Sequence, residues 1–135
     1  MTEEVRLRIK EFLVAKLNPS FIIVFGSVIN GTNRPDSDID IAFYHKDKTM
    51  DSYEIFMLAQ QLADILKKDV DLVDLRSAST VFQARIYSTG EVIYCVDETL
   101  RMQLQMTAYS MYARLNEDRA IVLDKIKESG SVYEQ

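Results

Sequence analysis

Gly26-Ser27, ten intervening residues and then Asp38-Ile39-Asp40 are the groups in this chain best equipped for chemistry. Carboxylates two apart on an extended strand point to one face, with α-carbons roughly 6.5–7 Å apart. Asp38 and Asp40 can therefore converge on the same divalent ions. Mg²⁺ requires only a few carboxylates, because substrate phosphates and water complete its shell. A Gly-Ser that turns a strand into a helix presents N–H groups and a hydroxyl to phosphate, and glycine permits close backbone approach. Phosphate cradle and metal-binding acids together suit transfer of part of a nucleoside triphosphate. In that scheme Ser27 takes a β- or γ-phosphate oxygen. Asp38 and Asp40 hold one or two Mg²⁺ ions, which activate the attacking oxygen and stabilise the pyrophosphate that leaves.

A third carboxylate is expected from a neighbouring strand. Val70-Asp71-Leu72-Val73-Asp74-Leu75 offers two, three apart and so on opposite faces of a strand. Only one can join the cluster. Asp71 is the preferred site residue, as a metal ligand on the attacking side and a general base for the acceptor hydroxyl. Asp74 remains the alternative, with capping of the following helix or contact with Arg76 as its structural role. Arg34, in the loop before the acidic pair, is a further candidate for phosphate, since guanidinium binds phosphate bidentately. His45, the single histidine, follows the second strand away from the Gly-Ser end and reads as a surface residue.

These groups need elements to hold them. Val5, Ile9, Phe12, Leu13 and Leu17 recur at helical spacing, predicting a helix over residues 3–17 with Thr2 as N-cap and Asn18-Pro19-Ser20 as stop. Residues 21–25 read as a strand, 27 to about 31 as a short helix, and 32–37 as a loop of turn formers. A second strand is expected over 38–44. A helix over 52–68 starts with Asp51 and Glu54 spaced as a capping box and ends with Lys67 and Lys68 in its last turn. A third strand over 70–75, a helix over 79–88 stopped by Gly90, a fourth strand over 91–96 and a long helix over 98–127 complete the chain. Helices alternating with strands predict an α/β domain with a mixed sheet.

In the last helix, Leu100, Leu104, Ala108, Met111, Leu115, Val122 and Ile126 form one stripe, and Met102, Met106, Tyr109 and Tyr112 a second flank. One stripe can pack on the sheet; the Met/Tyr flank suits a partner protein as well as a broad core.

Composition bounds the function. The length of 135 residues fits one domain, 1–135, with a substantial core. A net charge of −5 argues against general nucleic-acid binding, which relies on basic residues neutralising phosphates. One cysteine, no membrane-length apolar run and an acidic N-terminus fit a cytoplasmic protein.

The Gly-Ser, the Asp-x-Asp pair and a third acid on a later strand resemble the nucleotidyltransferase superfamily of DNA polymerase β. More closely, Phe25-Gly26-Ser27, Ser37-Asp38-Ile39-Asp40-Ile41-Ala42 and residues 70–79 resemble the minimal nucleotidyltransferase (MNT-type) antitoxins. The likeness covers about residues 5–96 at motif level. It implies a polymerase β-like fold in which Gly26 and Ser27 hold ATP and Asp38, Asp40 and Asp71 bind Mg²⁺. It also implies a partner, a HEPN-domain RNase toxin of a type VII-like pair, whose tyrosine hydroxyl receives AMP and is thereby silenced. Two other functions stay open at this level. One is a non-catalytic antitoxin that acts by complex formation. The other is a small-molecule or RNA nucleotidyltransferase, although such enzymes usually carry a second domain for the acceptor.

Overall fold

A computed structural model describes residues 1–31 and 37–129 of the chain. Helix α1 spans Glu3–Leu17; the Thr2 hydroxyl accepts from Val5 N, and Asn18 ends it in the left-handed conformation at φ 48°. Asparagine tolerates that conformation better than most side chains, and Pro19 then forbids further helix. Strand β1 is Phe21–Phe25 and is buried on both faces. Helix α2 is one turn, Ser27–Asn30. Strand β2 runs Ile39–Tyr44, so Asp38 immediately precedes it and does not begin it. Helix α3 is Ser52–Leu66 and strand β3 Val70–Asp74. A 3₁₀ turn, Leu75–Ser77, stands where the sequence had predicted the strand's last residue and a loop. Helix α4 is Thr80–Thr89, strand β4 Glu91–Cys95 and helix α5 Glu98–Ser129.

The four strands form one sheet in the order β3-β2-β1-β4. Strand β1 is antiparallel to β2 and to β4, while β2 and β3 are parallel. Alternation along the strands sorts the apolar side chains into two cores. Ile22, Val24, Ile39, Ile41, Phe43 and Leu72 face α1 and α3. Phe21, Ile23, Phe25 and Ala42 face the other way, packed with Ile86 and Phe82 of α4 and Leu104 of α5. Asp38 and Asp40 share the parity of Ala42, so they belong to the face that α4 crosses.

Local predictions fail at two points. Asp51 occupies the N-cap of α3 with an extended backbone, but its side chain makes no capping bond, so the expected box does not close. Lys67 is the left-handed C-cap at φ 58° and lies just past the last turn. Gly90 stops α4 as expected, without a left-handed turn; its reason is space, because a Cβ there would overlap the Ile23 side chain and stand 2.7 Å from the Ile86 carbonyl.

The long helix departs further from expectation. Its 32 residues extend about 48 Å at 1.5 Å per residue. It packs on α4 rather than on the sheet; Ala108 is buried, and Leu104 reaches the core beneath. Met111 and Val122 of the expected stripe are exposed, as are Met102, Met106 and Tyr112 of the flank. Ile121, Val122 and Leu123 each keep more than half of their surface accessible, so the distal helix has no core beneath it. Among the described residues no helix is long and apolar enough to cross a membrane.

Candidate functional site

The acidic residues gather at one end of the sheet. Asp40 is in register with Asp71 on the parallel strand β3 and with Phe25 on β1. Neighbouring strands lie about 4.8 Å apart, and residues in register share a face. Asp40 and Asp71 are thus side by side on the α4 face, with Asp38 two residues before Asp40 and exposed. Register, set by hydrophobic alternation on each strand, is what joins acids that stand 31 residues apart in sequence.

Gly26 closes the site from the β1 side. Its backbone lies at φ 80°, ψ −155°, a region essentially restricted to glycine. Any side chain there would also overlap the Asp40 carboxylate. The Gly-Ser turn therefore lies directly against the acidic pair. Ser27 is half-buried at the start of α2, whose turn is closed by Ile29 N donating to Gly26 O at 3.1 Å.

Electrostatics single out Asp40. Its carboxyl is pushed up from 3.8 to about 6, first by burial and then by the neighbouring charges of Asp71 and Asp38. The charges of Asp71 and Asp38 oppose the ionisation of Asp40, and such a setting suits positive charge. Among the described residues no three acidic, histidine or cysteine side chains are already drawn around a single point tightly enough to hold an ion. Closing on one requires rotation of the aspartate side chains on a backbone that already puts them on one face.

Asp74 lies elsewhere. It is three residues from Asp71, in register with Phe43 at the other end of the sheet. Its buried carboxylate accepts from Arg76 N and Met50 N, each at 3.0 Å, so it closes the 3₁₀ turn and anchors the start of the α3 region. Arg76 is at that end too, donating to the carbonyls of His45 and Lys46 and standing over the Tyr44 ring. His45 is half-buried there, and its Nδ1 accepts from Asp47 N at 3.2 Å. Arg34 lies outside the described residues.

An aromatic pair borders the acids, and sequence patterning passes it over. Phe25, opposite Asp40, meets Phe82 of α4 edge-on, with ring centroids 5.6 Å apart and planes at 81°. Phe82 reads in the sequence as one more apolar helix residue; no local signal shows that it reaches the site end of β1.

Comparison with known proteins gives a consistent result. Residues 8–99 match the nucleotidyltransferase domain family of polymerase β. The protein adenylyltransferase MntA of Shewanella oneidensis is 39% identical over 105 residues, which cover 78% of this chain and 74% of that protein. A chain in the crystal structure of a toxin–antitoxin with AMP-PNP superposes with a TM-score of 0.81 at 35% identity, covering 90% of this chain and 98% of its own length. A chain in the structure of a tri-AMPylated HEPN toxin of Shewanella oneidensis in complex with MNT antitoxin gives 0.78 at 32% identity, covering 94% and 99%.

Proposed function

This chain belongs to the polymerase β nucleotidyltransferase family, and from that premise we propose that it is an antitoxin that transfers AMP from ATP to a tyrosine of a HEPN-domain RNase toxin, inactivating it. The observation that carries the reading is the convergence of Gly26 and Asp40, with Asp71 in register beside them, on a chain of which 90% superposes on a chain of a toxin–antitoxin structure with AMP-PNP.

The roles follow from position. Gly26 and Ser27 hold the triphosphate; Arg34 is a further phosphate candidate on its residue type alone. Asp38, Asp40 and Asp71 hold Mg²⁺, one or two ions; all are hard oxygen donors, and the mutual repulsion that raises Asp40 is what a cation relieves. When bound, Mg²⁺ supplies charge stabilisation along the displacement. The tyrosine oxygen attacks the α-phosphorus. Its bond to that phosphorus forms as the bond to the bridging oxygen breaks, and pyrophosphate departs on the Gly26–Ser27 side. Asp71, at the solvent-exposed side of the cluster, takes the phenolic proton.

The 135 residues act as one catalytic domain in this reading, and the long α5 offers a surface for the toxin. Its exposed Met102, Met106, Ile121, Val122 and Leu123 support that assignment. A reducing cytoplasm suits the single free Cys95.

Incubating the chain with its HEPN partner, Mg²⁺ and each nucleoside triphosphate, then weighing the partner, tests this function. The expected result is a gain of whole AMP units from ATP that Asp38→Asn or Asp40→Asn removes. Toxin neutralised with no mass change under any nucleotide would instead mean inhibition by complex formation.

A further inference from the structure

The face that α4 crosses carries a second feature at the acidic end. Phe25 is 6% exposed and serves as a wall beside Asp40. Phe82 stands edge-on to it from the first turn of α4, where the Ser79 hydroxyl caps the helix by accepting from Phe82 N. Phe82 is only half-buried. The remaining rings of this face, Tyr44 and Tyr87, cluster about Phe21 at the opposite end of β1. Phe82 is therefore a half-buried ring packed on Phe25, the residue in register with Asp40.

Strand order decides what meets it. From edge to centre the site comprises Asp71 on β3, Asp40 on β2 and Gly26 at the end of β1. In-line displacement puts the attacking oxygen and the departing pyrophosphate on opposite sides of the α-phosphorus. With acceptor chemistry at Asp71 and triphosphate at Gly26–Ser27, the β1 side is the nucleotide's side. The nucleoside branches from the α-phosphorus between these poles, and the apolar surface beside it is Phe82.

We propose that Phe82 is the base platform of the nucleotide site, a specificity-determining residue on which the adenine ring of ATP stacks. This rests on the nucleotidyltransferase reading above and deepens it. Stacking on an aromatic face accepts any base, so the selection it gives is by area: the two-ring purine gains more than a one-ring pyrimidine.

The test uses the full chain with Mg²⁺: nucleotide binding is read without a partner protein, and transfer kinetics in a second assay with the HEPN partner added. Calorimetric titrations with the α,β-methylene analogues of ATP and CTP are compared for wild type, Phe82→Leu and Phe82→Trp. Leucine keeps apolar bulk in the α4 core but has no π-face; tryptophan enlarges that face. Phe82→Leu is expected to weaken the ATP analogue about tenfold and to narrow the purine preference, with Phe82→Trp near wild type. Melting temperatures confirm that each variant is folded. A folded Phe82→Leu that binds the ATP analogue within twofold of wild type overturns the proposal and leaves Phe82 a core residue. Unchanged nucleotide affinity with a raised KM for the acceptor protein also overturns it, by assigning the ring to the acceptor. A wild-type chain that binds with purine preference yet modifies no protein sinks the antitoxin enzyme while the platform stands; one that binds neither analogue removes both.

Discussion

Asp40 and Asp74 are both acids set among apolar strand residues, at opposite ends of the same sheet, and the protein treats them oppositely. Asp74 is 5% exposed, but two backbone N–H groups satisfy its carboxylate. Asp40 is held between Asp38, Asp71 and the glycine backbone, and its charge is opposed rather than answered. A buried carboxylate with donors is structure. A carboxylate kept among other carboxylates is destabilising by itself, and in the proposed function a bound cation would complete it. The difference separates the two ends of the molecule into a finished one and an unfinished one.

Asp40→Asn breaks the comparison most sharply. It should lower AMP transfer by about a thousandfold or more, the scale of losing a principal electrostatic group, measured as rate of partner modification. The same variant should be more stable than wild type near neutral pH. Because folding raises this carboxyl from 3.8 to about 6, its favourable contribution is fully present below about 3.8 and is lost as pH rises through about 6. At pH 7 the variant should therefore melt about 2–5 °C higher, allowing for solvent screening, and the gap should vanish near pH 4. A variant that melts lower at pH 7 would show Asp40 to be satisfied like Asp74.

Gly26→Ala tests the same end through the backbone. The added methyl meets the Asp40 carboxylate and a φ of 80° at once. Transfer should fall about a hundredfold, as for a small misplacement of reacting groups, with a stability loss of about 1–3 kcal/mol in denaturant titration.

At the finished end the pattern should invert. Asp74→Ala strands the N–H groups of Met50 and Arg76 and should cost about 2–4 kcal/mol. Transfer by the folded fraction should stay within about threefold of wild type. A thousandfold loss in a folded Asp74→Ala chain would return Asp74 to the site.

The smallest effect sharpens the electrostatic half of the contrast. Mg²⁺ at about a hundred times its Kd should raise the melting temperature by about 3–8 °C at pH 7.5. The shift should shrink below pH 6, where Asp40 takes up its proton, and be reduced in Asp40→Asn. An equal shift at pH 5 and 7.5 would place the ion elsewhere.

Much of this was legible from the chain. The boundaries of α1 and β1 follow from periodicity, a Thr cap and an Asn-Pro stop, all of which act within a few residues. The Gly-Ser and Asp-x-Asp spacing carries the site because only ten residues, opening with the one-turn α2, separate the two motifs. Other features are invisible at that range. Asp51 and Glu54 have the spacing of a capping box, yet the Asp51 side chain makes no capping bond. The α5 stripes do not reveal that half of the helix leaves the domain, since helical amphipathicity is the same whether the apolar side meets its own core or another protein.

Sequence alone determined the element order, the two faces of each strand and the presence of acids beside a phosphate-suited turn, because all of these depend on local geometry. Tertiary structure decided which acid of β3 stands beside Asp40, that Gly26 presses on its carboxylate and that Phe82 reaches the same end of the sheet. Those outcomes turn on strand register and helix crossing, which join residues far apart along the chain and leave no mark in the spacing of either partner.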